Sequence, residues 1–404
     1  MRLISVLVTF TAATFLPIAL LATPASADSV TGVWPVTQAF GVAAAPDGDS
    51  VWVTSGTPTN RLSRLDAQSG LITHAIPLSP ADYPLEVAIS PDGSQVFVIA
   101  QNSSTLSVVS SATNTITRTI SLGFMPTGLA VGADGATIFV TDYFANRVVA
   151  VTSTGTIVGS AAVGSGPIGV AYAPSIRTLY VADQNANTVS VINAANPSSM
   201  SVIATIPVAS TPRFLAVSPD GTEVWVPSQG SSTVSIIDTS INAVSGTVDV
   251  PISSEYIAFS PNGSRVYIPA FDANSYGTLH SFDADSRQVV STTALGYVPG
   301  ALSVSPDGLT VYVKCDGEVW VISITPERVF GDVVPHASLQ QFARSVDSTC
   351  DRAPEDLADF PGLGPTLHNS AWGMSWAQWP NSGIGGFVCS RQPYYTSADT
   401  WSVE

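Results

Sequence analysis

Short apolar runs separated by turn residues recur along the chain, and residues 211–251 show the arrangement most clearly. Four runs there are apolar or alternate apolar with polar residues: 214–217, 223–226, 233–237 and 243–250. The first two are separated by Ser-Pro-Asp-Gly, in which Pro presets φ, Asp bonds nearby backbone and Gly accepts a positive φ. Four strands joined by turns predict one antiparallel meander, which needs neighbouring sheets to bury its faces.

The same unit recurs seven times. The turn glycine, or the residue in its place, is found at Gly48, Gly93, Gly135, Ile176, Gly221, Gly263 and Gly308. A period of about 40–45 residues with four strands per unit is typical of propeller blades. The sequence therefore predicts an all-β fold, a seven-bladed β-propeller of four-stranded antiparallel blades over residues 28–332.

Each unit also carries an aromatic residue in its second strand, just after the turn. These are Trp52, Phe97, Phe139, Tyr180, Trp225, Tyr267 and Tyr312. Because the aromatic recurs at one place in every blade, it is expected to pack between adjacent sheets. Its burial would contribute a few kcal/mol, roughly 2–3 per ring, so we interpret the ring as structural, and it says nothing about function.

The second strand and the hairpin after it resemble the YVTN β-propeller repeat. Good copies are Tyr-Val-Ala-Asp at 180–183 with Asn-Thr-Val-Ser-Val-Ile-Asn at 187–193, Phe-Val-Thr-Asp at 139–142 and Ser-Thr-Val-Ser-Ile-Ile-Asp at 232–238. The resemblance covers residues 38–325. It implies a secreted or cell-surface propeller, but it says little about activity, because this family and related propellers include binding proteins, lactonases, lyases and redox subunits.

The ring needs one more strand, because the last repeat has three clear strands and a poor fourth. Residues 30–36 precede the first repeat and resemble a fourth strand, so we predict that they complete the seventh blade. Closure of this kind removes exposed sheet edges. The alternative is that residues 328–330 supply the missing strand.

Residues 1–27 have the pattern of a secretory signal peptide. Arg2 supplies the positive start, residues 4–21 the apolar core, and Ala25-Ser26-Ala27 the small-residue cleavage motif. The alternative is an uncleaved membrane anchor. No other stretch is apolar for long enough to span a bilayer. The predicted location is secreted, extracellular or cell-surface.

The chain is strongly acidic, with a formal net charge of −16, and Lys314 is its only lysine. This balance argues against nucleic acid or anionic membrane as a partner, because both need clustered Lys and Arg. We expect a monomer whose partner is a small ligand, a glycan or a protein.

Candidate binding residues come from departures from the repeat at the face where the first strand of each blade begins. Most blades have small or apolar residues there, so the polar exceptions are expected to ring the mouth of the central channel, together with the turns between second and third strands. The candidates are Glu86, Asp142, Tyr143, Asp183, Arg213, Glu255 and Tyr256. The alternative is that Arg213 and Glu255, in adjacent blades, form only an ion pair beside channel water.

Motifs for catalysis are few. The four histidines form no His-x-x-x-His pair, and the sequence has no Cys-x-x-Cys and no Gly-x-Ser-x-Gly. His74 and His280 are expected on the surface, away from the mouth. No cofactor or metal is therefore predicted; calcium on Asp and Asn oxygens of the mouth loops is the alternative. Acid–base chemistry would depend on Glu86 and Glu255.

Residues 333–404 differ in composition and predict a small separate module with little regular structure beyond a short helix beginning near Ser338. They hold four of the eight tryptophans. Cys350 and Cys389 are expected to form a disulfide, as two cysteines of an exported module commonly do. By closing the loop between them, it would stabilise the module by about 3–4 kcal/mol. Cys315 would remain a partly buried thiol, or pair with Cys350. The tryptophans and tyrosines form either the module's own core or a sugar-stacking surface.

Two functions are consistent with these patterns. The first is a secreted or cell-surface binding propeller. The alternative is a lactonase-like hydrolase or lyase working at the channel mouth. Repeat regularity and the lack of a His or metal motif favour the first, so the protein is not expected to be an enzyme.

Overall fold

The computed structural model describes residues 28–78, 83–250 and 253–325, and the backbone of residues 372–378 and 385–391. The chain divides into two compact units, residues 1–325 and 326–404. The expected leader over residues 1–27, the helix near Ser338 and the pairing of Cys350 with Cys389 lie outside the described residues.

The described part of the first unit consists almost wholly of short strands, as the alternating runs predict. In chain order they are β1 (Ser29–Pro35), β2 (Ala39–Ala44), β3 (Ser50–Ser55), β4 (Arg61–Asp66), β5 (Ile72–Pro77), β6 (Pro84–Ile89), β7 (Gln95–Ala100), β8 (Thr105–Ser110), β9 (Thr115–Ser121), β10 (Pro126–Val131), β11 (Thr137–Asp142), β12 (Arg147–Thr152), β13 (Ile157–Ala162), β14 (Pro167–Ala173), β15 (Thr178–Asp183), β16 (Thr188–Asn193), β17 (Ser201–Pro207), β18 (Ala216–Val217), β19 (Glu223–Pro227), β20 (Thr233–Asp238), β21 (Ala243–Asp249), β22 (Ser253–Ser254), β23 (Ala258–Phe259), β24 (Arg265–Phe271), β25 (Tyr276–Asp283), β26 (Val289–Tyr297), β27 (Leu302–Val304), β28 (Thr310–Cys315) and β29 (Glu318–Ser323). A single 3₁₀ turn, Pro197–Ser199, lies between β16 and β17.

These strands form seven antiparallel blades. Blades 1 to 5 are β2–β5, β6–β9, β10–β13, β14–β17 and β18–β21; blade 6 is β22–β26, with its first strand broken into β22 and β23. The first strands of successive blades contact one another all the way round, from β2 through β27 and back to β2. The first unit is therefore a closed seven-bladed β-propeller.

The ring closes as the sequence predicts. Strand β1 pairs antiparallel with β29, with Val33 opposite Trp320 and Pro35 opposite Glu318, so blade 7 has the order β1-β29-β28-β27. The N-terminal strand therefore fills the outer position that the last repeat lacks. The sheet edge of β29 is paired with β1 instead of being left open.

The repeated aromatic residues pack between blades. Each of the seven is at most 3% exposed and lies in a cluster with residues of its own or the following blade. Phe97 of blade 2 packs with Ile138 of blade 3, and Tyr312 of blade 7 packs with Val53 of blade 1. The predicted structural role of these rings is confirmed.

The Ser-Pro-Asp-Gly turns form for the predicted reasons. In blade 2 the Asp92 carboxylate accepts a hydrogen bond from the Ser94 backbone at 3.0 Å, and Gly93 has φ of +73°. Blade 4 differs, because its left-handed residue is Arg177 and not Ile176, which stands in the glycine's place.

In the second unit, β30 (Trp372–Gln378) pairs antiparallel with β31 (Gly385–Arg391) as a hairpin, with Met374 opposite Cys389. The sequence interpretation of this segment did not anticipate these strands. The alternation that marks strands elsewhere in the chain is interrupted here by glycines.

Candidate functional site at the channel mouth

In five of the blades the first strand leaves its ladder at the two positions singled out from the repeat. In blade 2 the pairing of β6 with β7 shifts register between Pro84 and Val87, so Leu85 and Glu86 form a bulge. Blades 1, 3 and 4 shift at the same place, and in blade 6 Glu255 and Tyr256 lie in the gap between β22 and β23. Bulges redirect side chains out of the sheet. Here the irregularity brings these positions to the channel.

Glycine occupies the second of these positions where neighbouring blades approach most closely. A Cβ atom at Gly41 would lie 2.7 Å from the Leu85 carbonyl oxygen, and one at Gly169 would lie 2.6 Å from the Arg213 carbonyl oxygen. Both distances are too short for a side chain. Blades 2, 5 and 6 instead carry Glu86, Phe214 and Tyr256 at this position, so the large side chains come from only part of the ring.

Glu86 and Tyr256 meet across the channel. The Tyr256 hydroxyl lies 3.5 Å from Glu86 Oε1, although their blades are separated by three blades in one direction and two in the other. Both side chains are half-buried. Burial raises the pKa of Glu86 to about 7, an effect that the hydrogen bond from Tyr256 only partly offsets. Glu86 therefore exchanges its proton near neutral pH.

Tyr256 is held by an aromatic stack. Its ring lies 4.1 Å from that of Phe214, centroid to centroid, at an interplanar angle of 14°. Burial raises the pKa of Tyr256 well above its ordinary value, and the nearby carboxylates of Glu86 and Glu255 raise it further. Tyr256 therefore stays neutral and can donate a hydrogen bond at physiological pH.

Arg213 and Glu255 form the predicted pair between adjacent blades, with Nη2 and Oε2 3.5 Å apart. Gln229 joins them: its Nε2 donates to Glu255 Oε1 at 2.6 Å, and its Oε1 accepts from Arg213 Nη1 at 3.2 Å. The buried Nε of Arg213 has no hydrogen-bond partner. Arg213, Gln229 and Glu255 are therefore joined by polar contacts, but the Nε donor of Arg213 has no acceptor.

Lys314 belongs to the same region, and the sequence interpretation did not select it. A Cβ atom at Gly300 would lie 3.2 Å from Lys314 Cδ and 3.7 Å from Tyr256 Cε2. The aliphatic part of the lysine side chain and the tyrosine ring therefore both lie next to Gly300. The sequence could have indicated it, because Lys314 is the only lysine of the chain. It occupies a strand position that holds Thr54, Ile99, Thr141 or Ala182 in other blades.

The other three candidates have local contacts instead. Asp142 is 3% exposed, pairs with Arg147 at 2.9 Å and accepts from the Ala145 backbone in its own hairpin. The Tyr143 hydroxyl accepts from Asn185 Nδ2 at 3.1 Å, which links blades 3 and 4. Their contacts join neighbouring loops and do not include Glu86 or Tyr256.

Asp183 occupies in blade 4 the place of Asp142 in blade 3, but its surroundings differ. It is fully buried, and its Oδ2 accepts from Ser190 Oγ at 2.7 Å and Thr188 Oγ1 at 3.0 Å. Its Oδ1 has no hydrogen-bond partner. Burial raises the pKa of Asp183 to about 6, against the lowering effect of those hydrogen bonds.

The remaining reactive side chains among the described residues include two histidines and one cysteine. His74 is exposed, as expected. The expectation for His280 was wrong, because this side chain is only 6% exposed. It lies on β25, between the neighbouring strands of blade 6, and its ring nitrogens contact Thr278 and Thr292. Cys315 is a free thiol, 1% exposed, and burial raises its pKa to about 12.

Among the described residues, no three His, Cys, Asp or Glu side chains gather as a metal site. None of the described segments is a helix long and apolar enough to cross a membrane.

Comparisons with known proteins support the fold. No protein-family model and no curated protein matches the chain. In solved structures 1724 chains match, so many that the likeness indicates a common architecture and not an activity. A chain of Kuenenia stuttgartiensis hydrazine synthase is 20% identical, with a TM-score of 0.63, over 72% of this chain and 96% of that one. A streptogramin B lyase structure is 19% identical, with a TM-score of 0.61, over 73% and 96%. At these identities the chain is similar to both in its β-propeller fold alone.

Proposed function

We propose that this protein is an exported, secreted or cell-surface β-propeller that binds a small ligand at its channel mouth, with Glu86, Tyr256 and Phe214 as the central contacts. The observation that carries the proposal is the meeting of Glu86 and Tyr256 across the axis at 3.5 Å. A propeller needs no such contact for stability, because its blades are already joined by buried aromatic clusters.

The chemistry of this group suits a ligand with both a flat face and polar groups. Phe214 and Tyr256 offer aromatic surface, and the Tyr256 hydroxyl and Arg213 Nε offer donors. Glu255 and Glu86 offer acceptors. Ligand sites in proteins combine an apolar wall with a few directed polar groups in this way. The 3.5 Å contact is long for an O–H···O hydrogen bond, so a ligand can replace it at little cost.

The test is ligand retention. The exported protein is purified, incubated with a small-molecule extract of its source cells and examined by native mass spectrometry. We expect a bound species in the wild type that is lost in Glu86→Ala with Tyr256→Phe. Asp47→Ala removes an exposed charge in a Pro-Asp-Gly turn and serves as the control. Equal retention in all three proteins would exclude the mouth as the binding site.

Acid–base catalysis at the mouth is a second candidate, and one observation favours it. A carboxyl group that titrates near pH 7 beside a neutral tyrosine is suited to general acid–base work. One structural neighbour, streptogramin B lyase, is a lyase. Under this hypothesis Glu86 moves the proton and Tyr256 orients the substrate.

Glu86→Gln separates the two candidates. It keeps the shape and one acceptor oxygen but cannot take up a proton at neutral pH. Once a retained ligand is identified, its conversion is followed by mass spectrometry over hours. Binding without conversion in the wild type supports the scaffold. Conversion that Glu86→Gln abolishes, with binding retained, supports the enzyme.

A further inference from the structure

Asp28, the residue directly before β1, is buried and holds the two ends of the propeller chain together. It is 5% exposed. Its Oδ1 accepts from Arg265 Nη1 at 3.3 Å and from the Thr325 backbone at 3.1 Å, and its Oδ2 accepts from Ser281 Oγ at 2.8 Å. Its main-chain oxygen accepts from Thr293 Oγ1 at 3.1 Å.

These partners come from two blades. Arg265, Ser281 and Thr293 lie on β24, β25 and β26 of blade 6, and Thr325 follows β29 of blade 7. The guanidinium is itself buried, with a side chain 7% exposed. A buried ion pair with complete hydrogen bonding costs little, but it becomes strongly destabilising when one partner is removed. Asp28 therefore fastens the closing strand to the seam between blades 6 and 7.

Asp28 is also the first residue after Ala25-Ser26-Ala27, the small-residue motif at which leader peptides are cut. We propose that a leader peptidase hydrolyses the bond between Ala27 and Asp28, and that Asp28 then serves as the N-terminal clasp of the closed ring. Water adds across this amide: Ala27 leaves with a new carboxylate, and Asp28 keeps the nitrogen as an ammonium group. A cut one residue later would remove the carboxylate, to which three groups of the propeller donate hydrogen bonds, and with it the main-chain oxygen that accepts from Thr293.

The same geometry sets the order of events. A peptidase needs the residues on both sides of its target bond in an accessible, extended form. Asp28 is buried in the closed ring, and Ser29 is already paired with Ser323 of β29. The leader is therefore removed before β1 docks, and ring closure follows processing.

The first test is the N-terminus of the exported protein and the stability of Asp28 variants. Intact-mass measurement is expected to show a chain that begins at Asp28. In urea unfolding, Asp28→Ala is expected to raise the unfolding equilibrium constant about 10²–10³-fold, the effect of breaking a buried pair. Asp249→Ala removes an exposed carboxylate at the end of β21 and should change it less than tenfold.

If Asp28→Ala does not fold, Asp28→Leu with Arg265→Met replaces both charges by apolar groups and is expected to recover the fold. An N-terminus at another residue, or an Asp28→Ala protein as stable as Asp249→Ala, would overturn the proposal.

The order of events has its own test. The full-length precursor is offered to purified leader peptidase either unfolded or after refolding. We expect rapid cleavage of the unfolded chain and at least tenfold slower cleavage of the refolded wild type, with the rate restored in refolded Asp28→Ala. Equal rates for folded and unfolded wild-type precursor would refute the inferred order. Ligand binding at the mouth does not enter either test.

Discussion

Asp142 and Asp183 occupy equivalent places in blades 3 and 4, yet their neutralisation should have opposite effects on stability. Asp142 faces Arg147, whereas Asp183 faces two hydroxyl groups and has one oxygen without a hydrogen-bond partner. The residue opposite Asp183 in the hairpin is Thr188, in the place of Arg147. A buried carboxylate without a cation nearby is destabilising, and burial is the main cause of the raised pKa of Asp183.

The magnitude follows from the pKa. The pKa of Asp183 rises from 3.8 to about 6 on folding. Each pKa unit corresponds to about 1.4 kcal/mol, so ionisation of Asp183 costs the folded state about 3 kcal/mol. Between these two pKa values the folded protein holds the proton that the unfolded chain has lost. Stability therefore falls as pH rises from about 4 to 6, and the full cost remains above pH 6.

Asp183→Asn removes this cost. Its amide oxygen can still accept from Ser190 and Thr188, and its amide group replaces Oδ1. We expect the variant to gain up to about 3 kcal/mol of unfolding free energy at pH 7.5 and to match the wild type near pH 4. Asp142→Asn should instead lose about 1 kcal/mol at pH 7.5, because Arg147 is 42% exposed and its pairing is screened by water.

The assay is urea unfolding followed by tryptophan fluorescence at pH 4, 5, 6 and 7.5 for the three proteins. The difference between wild type and each variant cancels the background of the other carboxyl groups. The reasoning would be refuted if Asp183→Asn were no more stable than the wild type at pH 7.5. It would also be refuted if the difference did not grow between pH 4 and 6.

Three further outcomes can be measured. Tyr256→Phe removes the hydrogen bond that lowers the pKa of Glu86, so that pKa should rise above 7 in a carboxyl NMR titration; an unchanged value would contradict the contact across the channel. Trp225→Ala empties a fully buried site between blades and should cost about 3–5 kcal/mol in urea unfolding, whereas a loss below about 1 kcal/mol would contradict its packing role. Gly169→Ala places a Cβ atom 2.6 Å from the Arg213 carbonyl oxygen and should cost about 1–3 kcal/mol by the same assay; wild-type stability would show that the blades are not so close.

The fold could be predicted because its determinants are local and repeated seven times. The run at 233–237 became Thr233–Asp238, the run at 243–250 became Ala243–Asp249, and residues 30–36 supplied the closing strand Ser29–Pro35. Strand alternation, turn chemistry and one aromatic per unit act within about ten residues. A single ambiguous copy, such as the turn at Ile176, is corrected by the six others.

The candidate site was predictable only in part. The pairing of Arg213 with Glu255 follows from equivalent positions in adjacent blades, so repeat alignment alone predicts it. The same alignment treated Asp142 and Asp183 as equals, because it does not include the residue across the hairpin. Nor did it select Lys314, whose position beside Tyr256 depends on how blade 7 packs against blade 6.

By itself, then, the sequence determined the number of blades, the order of their strands, the strand that closes the ring and the positions that open onto the channel. Only the tertiary structure decided which side chains meet there. Glu86 and Tyr256 are 170 residues apart, in blades that are not neighbours, and their contact exists because a closed ring brings opposite inner strands within side-chain reach. Likewise, the raised pKa values of Glu86 and Asp183 come from burial in the folded protein, a property that no repeat pattern contains.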